Sequence, residues 1–340
     1  MNTSSLGIKN RLRYASSRIR GFNAGSVWTR AKESAQQHHK WAPAVMVDML
    51  WSAGVRNTAF QDYVDWDFPI LSRAERATYM THSISTYISE KYNHPDFREV
   101  FHHKINFNKA FDKYLGREWL DVDEHSVDEV REFVERHQVV MGKVPVSDSG
   151  HGVERYRFDE IVDWEAFRSR LMTTGQTLLE VYITQHPDLA KMCPGTANTT
   201  RVTTFFDGKR THILSMAQKF GRGQASDQQT FGGFYTMLDD NGKSRGPGYD
   251  SHHGVFPTHP ESGESIIDFV LPLADQVLPY IDQVARVIPQ IQYVGWDIVM
   301  TAAGPVLIEG NWGAGVYDNK PSVTGIRTGS LPRFRAAIGF

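Results

Sequence analysis

The stretch "GWDIVMTAAGPVLIEGNWGAG" runs from Gly295 to Gly315. Two apolar runs of strand length, 293–301 and 304–311, flank a short turn at 302–304. Side chains on an antiparallel pair alternate across its faces with period two. Glu309 and Asn311 therefore point the same way, and Asp297 on the neighbouring strand can face them. Two carboxylates and an amide are hard oxygen donors, suited to Mg²⁺ or Mn²⁺ and poor for zinc. Partnered polar groups at a strand end fit the same three residues, because so short a pattern has many chance matches.

Working back from this pair, residues 199–245 are β-rich. "TTRVTTFFDGKRTHILSMAQ" reads as a hairpin about Asp207-Gly208, and "GGFYTMLDDNGKSR" as a second about Asn241-Gly242. "PLADQVLPYIDQVARVIP" has the helical spacing Leu273, Val277, Ile281, Val284, Ile288, with Pro279 predicting a kink or a late start. Further upstream, Ser126 with Glu129 forms a capping-box pattern before the apolar face Val127, Val130, Phe133, Val134. "QVVMGKV" follows as a short strand, "DWEAFRSRL" as a short helix and "TLLEVYI" as a buried strand. Residues 1 to about 100 read as helical, with one helix expected over "LSRAERATYMTHSISTYISEKY" and a break at "NHPDF". The divisions expected are a helical region at 1–100, a small α+β lobe at 101–185 and a larger one at 186–340.

The 340 residues allow two or three lobes with a real core. With a formal net charge of −2, the whole molecule is not an obvious polyanion binder. The first forty residues differ, with eight Lys/Arg against the single acid Glu33, and Ile8, Leu12, Ala15, Ile19 and Phe22 recur at helical spacing. A solvated basic helix face and contact with an anionic partner or surface both fit. No apolar run approaches the roughly 20 residues of a membrane span, and no signal-peptide core is present. Cys193 is the only cysteine, so no internal disulfide forms and a cytoplasmic setting is expected.

Three further segments bear on chemistry. Lys104 and Lys143 lie upstream, and Lys143 ends a strand before Asp148-Ser149-Gly150-His151-Gly152. Small residues there let backbone N–H groups approach phosphate oxygens, with lysine adding point charge. No Gly-Lys-Ser/Thr follows, so this is not a Walker motif. A strand ending in an acid, as in "LLEVYI", can offer its backbone to an adenine edge, and Glu180 could meet a ribose hydroxyl.

In this order, "INFNKAF", "MGKVPVSDSGHGV", "LLEVYITQHPDLAKMCPGTANTTRVTTF", "FGGFYTMLDDNGK" and "VGWDIVMTAAGPVLIEGN" resemble the ATP-grasp superfamily. The resemblance is nearest to its sugar-transfer-associated branch, related to α-glutamate-ligase-like proteins, and covers roughly residues 70 to 330. It implies an α+β ATP-grasp fold, two α+β lobes holding ATP, here preceded by a helical region. It further implies that Lys104 and Lys143 bind phosphate, that Ser149, Gly150, His151, Gly152 and Val153 form a flap over the phosphates, and that Glu180, Val181, Tyr182 and Ile183 receive adenine and ribose. Asp297, Glu309 and Asn311 would be the Mg²⁺ ligands, with Mn²⁺ as an alternative. Arg201 in "NTTRVTTF" would face the reacting centre, and Arg201 and Lys143 would be catalytic. His151 departs from the smaller or basic residues frequent in such flaps.

The implied activity is a carboxylate–amine, or carboxylate–nucleophile, ligase that forms an acyl phosphate and releases ADP. Its substrates would be small molecules, with no nucleic acid, in glycan or peptide-like metabolite assembly. Ala314, with Gly313 and Gly315, could present N–H groups to an oxyanion. A kinase using His252, His253 or His259 as general base is a rival reading. A nucleotide-binding protein without turnover is another.

Overall fold

The computed structural model describes residues 23–340 except 148, 149 and 225. The basic segment 1–22 and Ser149 therefore lie outside the described residues. The chain divides into two compact units, one made of residues 1–91 with 315–340 and the other of 92–314.

The described part of the first unit is helical: α1 (Ala24–Gln37), α2 (Ala42–Arg56), α3 (Phe60–Asp65), α4 (Arg73–Arg76) and most of α5 (His82–Tyr92). One helix was expected over 71–92, but two form. Ser72 and Glu75 close a capping box that starts α4, and the chain then turns inward, burying Tyr79, Met80 and Thr81, before α5 begins. An aromatic core of Tyr63, Trp66, Phe68 and Tyr79 joins these helices. The C-terminal residues return to the same unit. Buried Asp67 accepts from the backbone N–H of Ser322 at 2.8 Å and lies 3.1 Å from Lys320 Nζ. Buried Asp318 accepts from the N–H of Met80 and from the N–H and Oγ–H of Ser330.

The second unit continues with α6 (Arg98–His102) and α7 (Lys104–Leu115), then β1 (Trp119–Asp121), α8 (Val127–His137), β2 (Val139–Lys143), β3 (Val153–Arg157), α9 (Trp164–Thr174) and β4 (Leu178–Val181). These four strands form an antiparallel sheet in the order β1-β4-β2-β3. Its core packs α8 and α9 through Val130, Phe133, Val134, Phe167 and Leu171. Ser126 caps α8 with Glu129 in a reciprocal box, and Asp163 caps α9.

After α10 (Pro187–Met192) come β5 (Thr200–Phe206), β6 (Thr211–Phe220), β7 (Phe234–Leu238), β8 (Gly248–Tyr249), β9 (Val255–Phe256), α11 (Val277–Ala285), β10 (Tyr293–Thr301) and β11 (Gly304–Asn311). Helices α12 (Pro321–Thr324) and α13 (Leu331–Ile338) close the chain in the first unit. The seven strands form a second antiparallel sheet in the order β11-β10-β5-β6-β7-β8-β9. Asp207 builds the β5–β6 turn by accepting from the N–H groups of Lys209 and Arg210, and Gly208 takes the left-handed φ of +92° that this turn needs. Pro279 sits three residues into α11, where its missing N–H has no intrahelical partner to lose. The late start is the outcome.

Alternation divides the larger sheet's two faces. Val202, Met216, Phe220, Val294, Trp296, Ile298 and Met300 enter one core with Phe107, Phe111 and Leu115 of α7 and Val277, Ile281 and Val284 of α11. The other face carries Arg201, Lys219 and Asp297.

Candidate functional site

The register explains how the polar side chains meet. Asp297 pairs with Glu309 on one side and with Arg201 on the other, while Gly295 pairs with Asn311. Between Asp297 and Ile298 the register shifts, because Ile298 pairs with Leu307 and Ile308 is left over as a bulge. In an unbroken strand Leu307 and Glu309 would share a face. The bulge lets Leu307 join the apolar core while Glu309 turns to the polar side.

Around Asp297 the cations are dense. Arg201 grips it with two parallel bonds, Nε to Oδ1 at 2.8 Å and Nη2 to Oδ2 at 2.9 Å, and its Nη1 donates to Ala314 O at 2.8 Å. Lys219 Nζ lies 3.2 Å from Asp297 Oδ1 and 3.8 Å from Asp227 Oδ1. Asp227 in turn accepts from the N–H and Oγ–H of Thr199. Burial opposes charge on Asp297, yet Arg201 and Lys219 outweigh it and hold this carboxyl well below the usual range. Glu309 behaves oppositely. Burial first, then the neighbouring Asp297 charge, push its carboxyl up despite Lys219 and Arg201. Asn311 Nδ2 reaches Gly295 O at 3.2 Å and sits 3.4 Å from both carboxylates.

This donor set fits a hard divalent cation. Glu309 is a half-buried carboxylate beside a second carboxylate, a pairing that favours either a proton or a metal ion. Asp297, Glu309 and Asn311 would hold it. Among the described residues no group of three His, Cys, Asp or Glu gathers as a metal centre, so this candidate rests on two acids and an amide.

On the smaller sheet, Glu180 receives Asn108 Nδ2 at 2.7 Å and Arg117 Nη2 at 2.8 Å on Oε1, and Lys143 Nζ on Oε2. Burial opposes its charge, but Arg117 and Lys143 keep its carboxyl far below the usual range. Glu180, expected to meet a ribose hydroxyl, is engaged by these three side chains. Its side chain is almost fully buried and serves as the anchor of Lys143. Val181, Tyr182 and Ile183 leave the strand half-buried, and Arg155 lies over the Tyr182 ring at 5.8 Å.

Lys104 is placed differently from Lys143. Its Nζ donates to Ser147 O at 2.7 Å and to Ser147 Oγ at 3.0 Å, so it steadies the entry to the glycine loop. In that loop Gly150 has φ +74°, and a Cβ there would come within 2.6 Å of Ser226 Oγ. His151 faces Phe231 at 6.1 Å between ring centroids, and Val153 opens β3. Of the three candidate general bases, His259 is buried with Nε2 2.9 Å from Gly221 O, and His252 is exposed on a turn. Ala314 N–H donates to Asn311 O, so it is not presented to an oxyanion.

Sequence reasoning missed three residues. Lys219 follows the hairpin turn by eleven positions, on the polar face of β6 by alternation, which was the available cue. Asp227 sits in a loop with no pattern. Arg117 lies between α7 and β1 and joins the two sheets, donating to Leu307 O at 2.6 Å as well as to Glu180.

Residues 166–325, a little under half of the chain, match the family described as sugar-transfer associated ATP-grasp. Over this segment the chain is similar to that family. No curated protein matches. Among solved structures, D-alanyl-alanine synthetase A from Vibrio cholerae O1 is 11% identical, with 69% of this chain and 61% of that chain covered and a TM-score of 0.40. The ATP-grasp ligase PsnB, complexed with a phosphomimetic variant of its minimal precursor, Mg and ADP, is 13% identical over 81% and 72%, with a TM-score of 0.41. N5-carboxyaminoimidazole synthase from Aspergillus clavatus is 8% identical over 68% and 50%, with a TM-score of 0.39. The chain thus spans less than two thirds of the first of these.

Proposed function

We propose that this protein is an ATP-dependent, ADP-forming ligase that activates a carboxylate as an acyl phosphate and passes it to an amine or another nucleophile. The observation that carries the reading is the cluster Asp297–Glu309–Arg201–Lys219 on one sheet face, with Lys143 held by Glu180 on the other sheet of the same unit. Lys143, with the loop at Gly150–Val153, suits phosphate oxygens; Lys104 would act by holding the start of that loop. Val181–Ile183 supplies backbone for adenine. A cation held by Asp297, Glu309 and Asn311 would neutralise phosphate charge. Arg201, held in place by Asp297 and Ala314 O, and Lys219 stabilise negative charge as the phosphoryl group moves and as the nucleophile attacks. The nucleophile comes from the second substrate, so no protein side chain is required to attack. Cys193 is buried, and ATP and Mg²⁺ are abundant in the cytoplasm, which suits a cytoplasmic site of action. The description of the matching family as sugar-transfer associated supports substrates in glycan assembly, with peptide-like metabolites as the alternative.

The test is ADP release from Mg·ATP against amino acids, carboxylated sugars and nucleotide sugars, repeated with hydroxylamine. A hydroxamate is the expected product, because only an acyl phosphate yields one. ADP release with a phosphorylated acceptor and no hydroxamate would instead make the protein a kinase.

A further inference from the structure

Both oxygens of Asp297 already carry cationic partners. Arg201 binds Oδ1 and Oδ2 together, and Lys219 Nζ lies 3.2 Å from Oδ1. A divalent cation held by Asp297 would therefore enter beside two positive charges at hydrogen-bond range. Like charges repel strongly where water is excluded, and Asp297, Arg201 and Lys219 are all buried. Charge balance requires one of the two side chains to give ground.

The two are not held alike. Arg201 has a bidentate grip on Asp297 and a further bond to Ala314 O at 2.8 Å. Its planar fork fixes it against the carboxylate. Lys219 meets Asp297 as a point charge on a flexible stem, and a second carboxylate is within reach, since Asp227 Oδ1 is 3.8 Å from the same Nζ. Asp227 is buried and set in place. Its Oδ2 accepts from the N–H of Thr199 at 2.7 Å and from the Thr199 Oγ–H at 2.6 Å. The backbone N–H of Lys219 donates to Thr199 O at 2.9 Å. Thr199 thus ties down both the carboxylate and the base of the lysine, and Oδ1 is the Asp227 oxygen nearest the ammonium.

We propose that Lys219 is the resident counter-ion of Asp297, that it passes to Asp227 when a divalent cation is held by Asp297, Glu309 and Asn311, and that Asp227 is its positioning residue. This inference rests on the reading of those three residues as metal ligands. Asp227 receives the displaced ammonium, so the cation gains Asp297 without leaving a buried positive charge unpaired, which would be costly. Loading of the site and release of the lysine from Asp297 are thereby one event, and Lys219 serves the phosphoryl group only in the loaded protein.

The experiment is titration of the full-length protein with Mn²⁺ in the absence of nucleotide, with free Mn²⁺ followed by electron paramagnetic resonance. Asp227→Asn keeps an oxygen for the Thr199 donors and should lower Mn²⁺ affinity by about tenfold, because Lys219 then has no second carboxylate to receive it. Lys219→Met keeps the aliphatic stem and should raise the affinity by about tenfold or more. In the double variant the effect of Asp227→Asn should vanish, leaving the affinity of Lys219→Met. Lys219→Gln takes its place in the comparison if the methionine variant does not fold. A loss from Asp227→Asn that persists once Lys219 is removed would make Asp227 a ligand or a through-space charge and overturn the proposal. So would an affinity in Lys219→Met at or below that of the wild type. Glu309→Gln separates the two readings. Binding lost in Glu309→Gln but unchanged in Asp227→Asn overturns this proposal alone. No Mn²⁺ binding by the wild type, or equal binding by Glu309→Gln, overturns the metal reading and this proposal with it.

Discussion

Two carboxylates at one register position differ because their surroundings differ. Asp297 has a guanidinium fork and an ammonium. Glu309 has burial and the charge of Asp297 against it. An acid raised in the folded state binds its proton more tightly there than when unfolded, so its contribution to stability falls as pH rises through its folded value. Without metal at pH 7.5, Glu309→Gln should therefore melt no lower than the wild type. Added Mg²⁺ should raise the wild-type melting temperature and leave that of the variant unmoved, and Mg·ATP turnover should be lost. Turnover at the wild-type rate would remove the metal role from Glu309. Lys143→Ala should weaken ATP binding more than it lowers stability, because Glu180 keeps Asn108 and Arg117. Equal ATP affinity by calorimetry in the two proteins would refute that site.

Arg117 acts between elements. Its guanidinium is nearly inaccessible and links Glu180 of β4 to the backbone of β11. Removing one partner of a buried pair typically costs about 3–5 kcal/mol. Arg117→Ala should thus lower the denaturation midpoint far more than Lys143→Ala does; an equal effect would deny it that linking role. Gly295 tests a second junction, since a Cβ there would lie 2.5 Å from Ala314 O, the acceptor of Arg201. Gly295→Ala should cost about 1–3 kcal/mol by overpacking and should lower turnover by displacing the Arg201 side chain. Unchanged urea midpoint and turnover would show that the turn at 311–314 yields without consequence.

At the scale of the molecule, the return of the C-terminal residues to the first unit hangs on buried groups, Asp318 among them. Burial pushes the Asp318 carboxyl up to about 6, against the donors of Ser330, Asn319 and Met80. Its protonated form is favoured in the fold, so its contribution is full below the ordinary aspartate value and falls as pH rises towards 6. The loss is on the order of 3 kcal/mol. Asp318→Asn should be less stable overall, because an amide N–H₂ would face N–H donors. The stability advantage of the wild type over it should shrink between pH 4 and pH 6 and stay level above; thermal scans across that range would show it. An advantage independent of pH would mean that Asp318 does not titrate there.

What the sequence determined by itself is local. Asp207-Gly208 and Asn241-Gly242 specified turns through side-chain and backbone geometry that needs no distant partner. Ser126 with Glu129 specified a helix start in the same way. The alternation in 293–311 specified a hairpin with oxygen donors on one face. The tertiary structure decided what depends on residues far along the chain. It set the bulge at Ile308, since only packing of Leu307 into the core forces the change of face. It turned Glu180 inward, since Arg117 and Lys143 meet it from separate elements. It brought Lys219 to Asp297 through two strand pairings, and it closed the first unit with residues 315–340. Each of these follows from long-range burial and charge pairing, whose energies outweigh local preference and leave little trace in short-range sequence pattern.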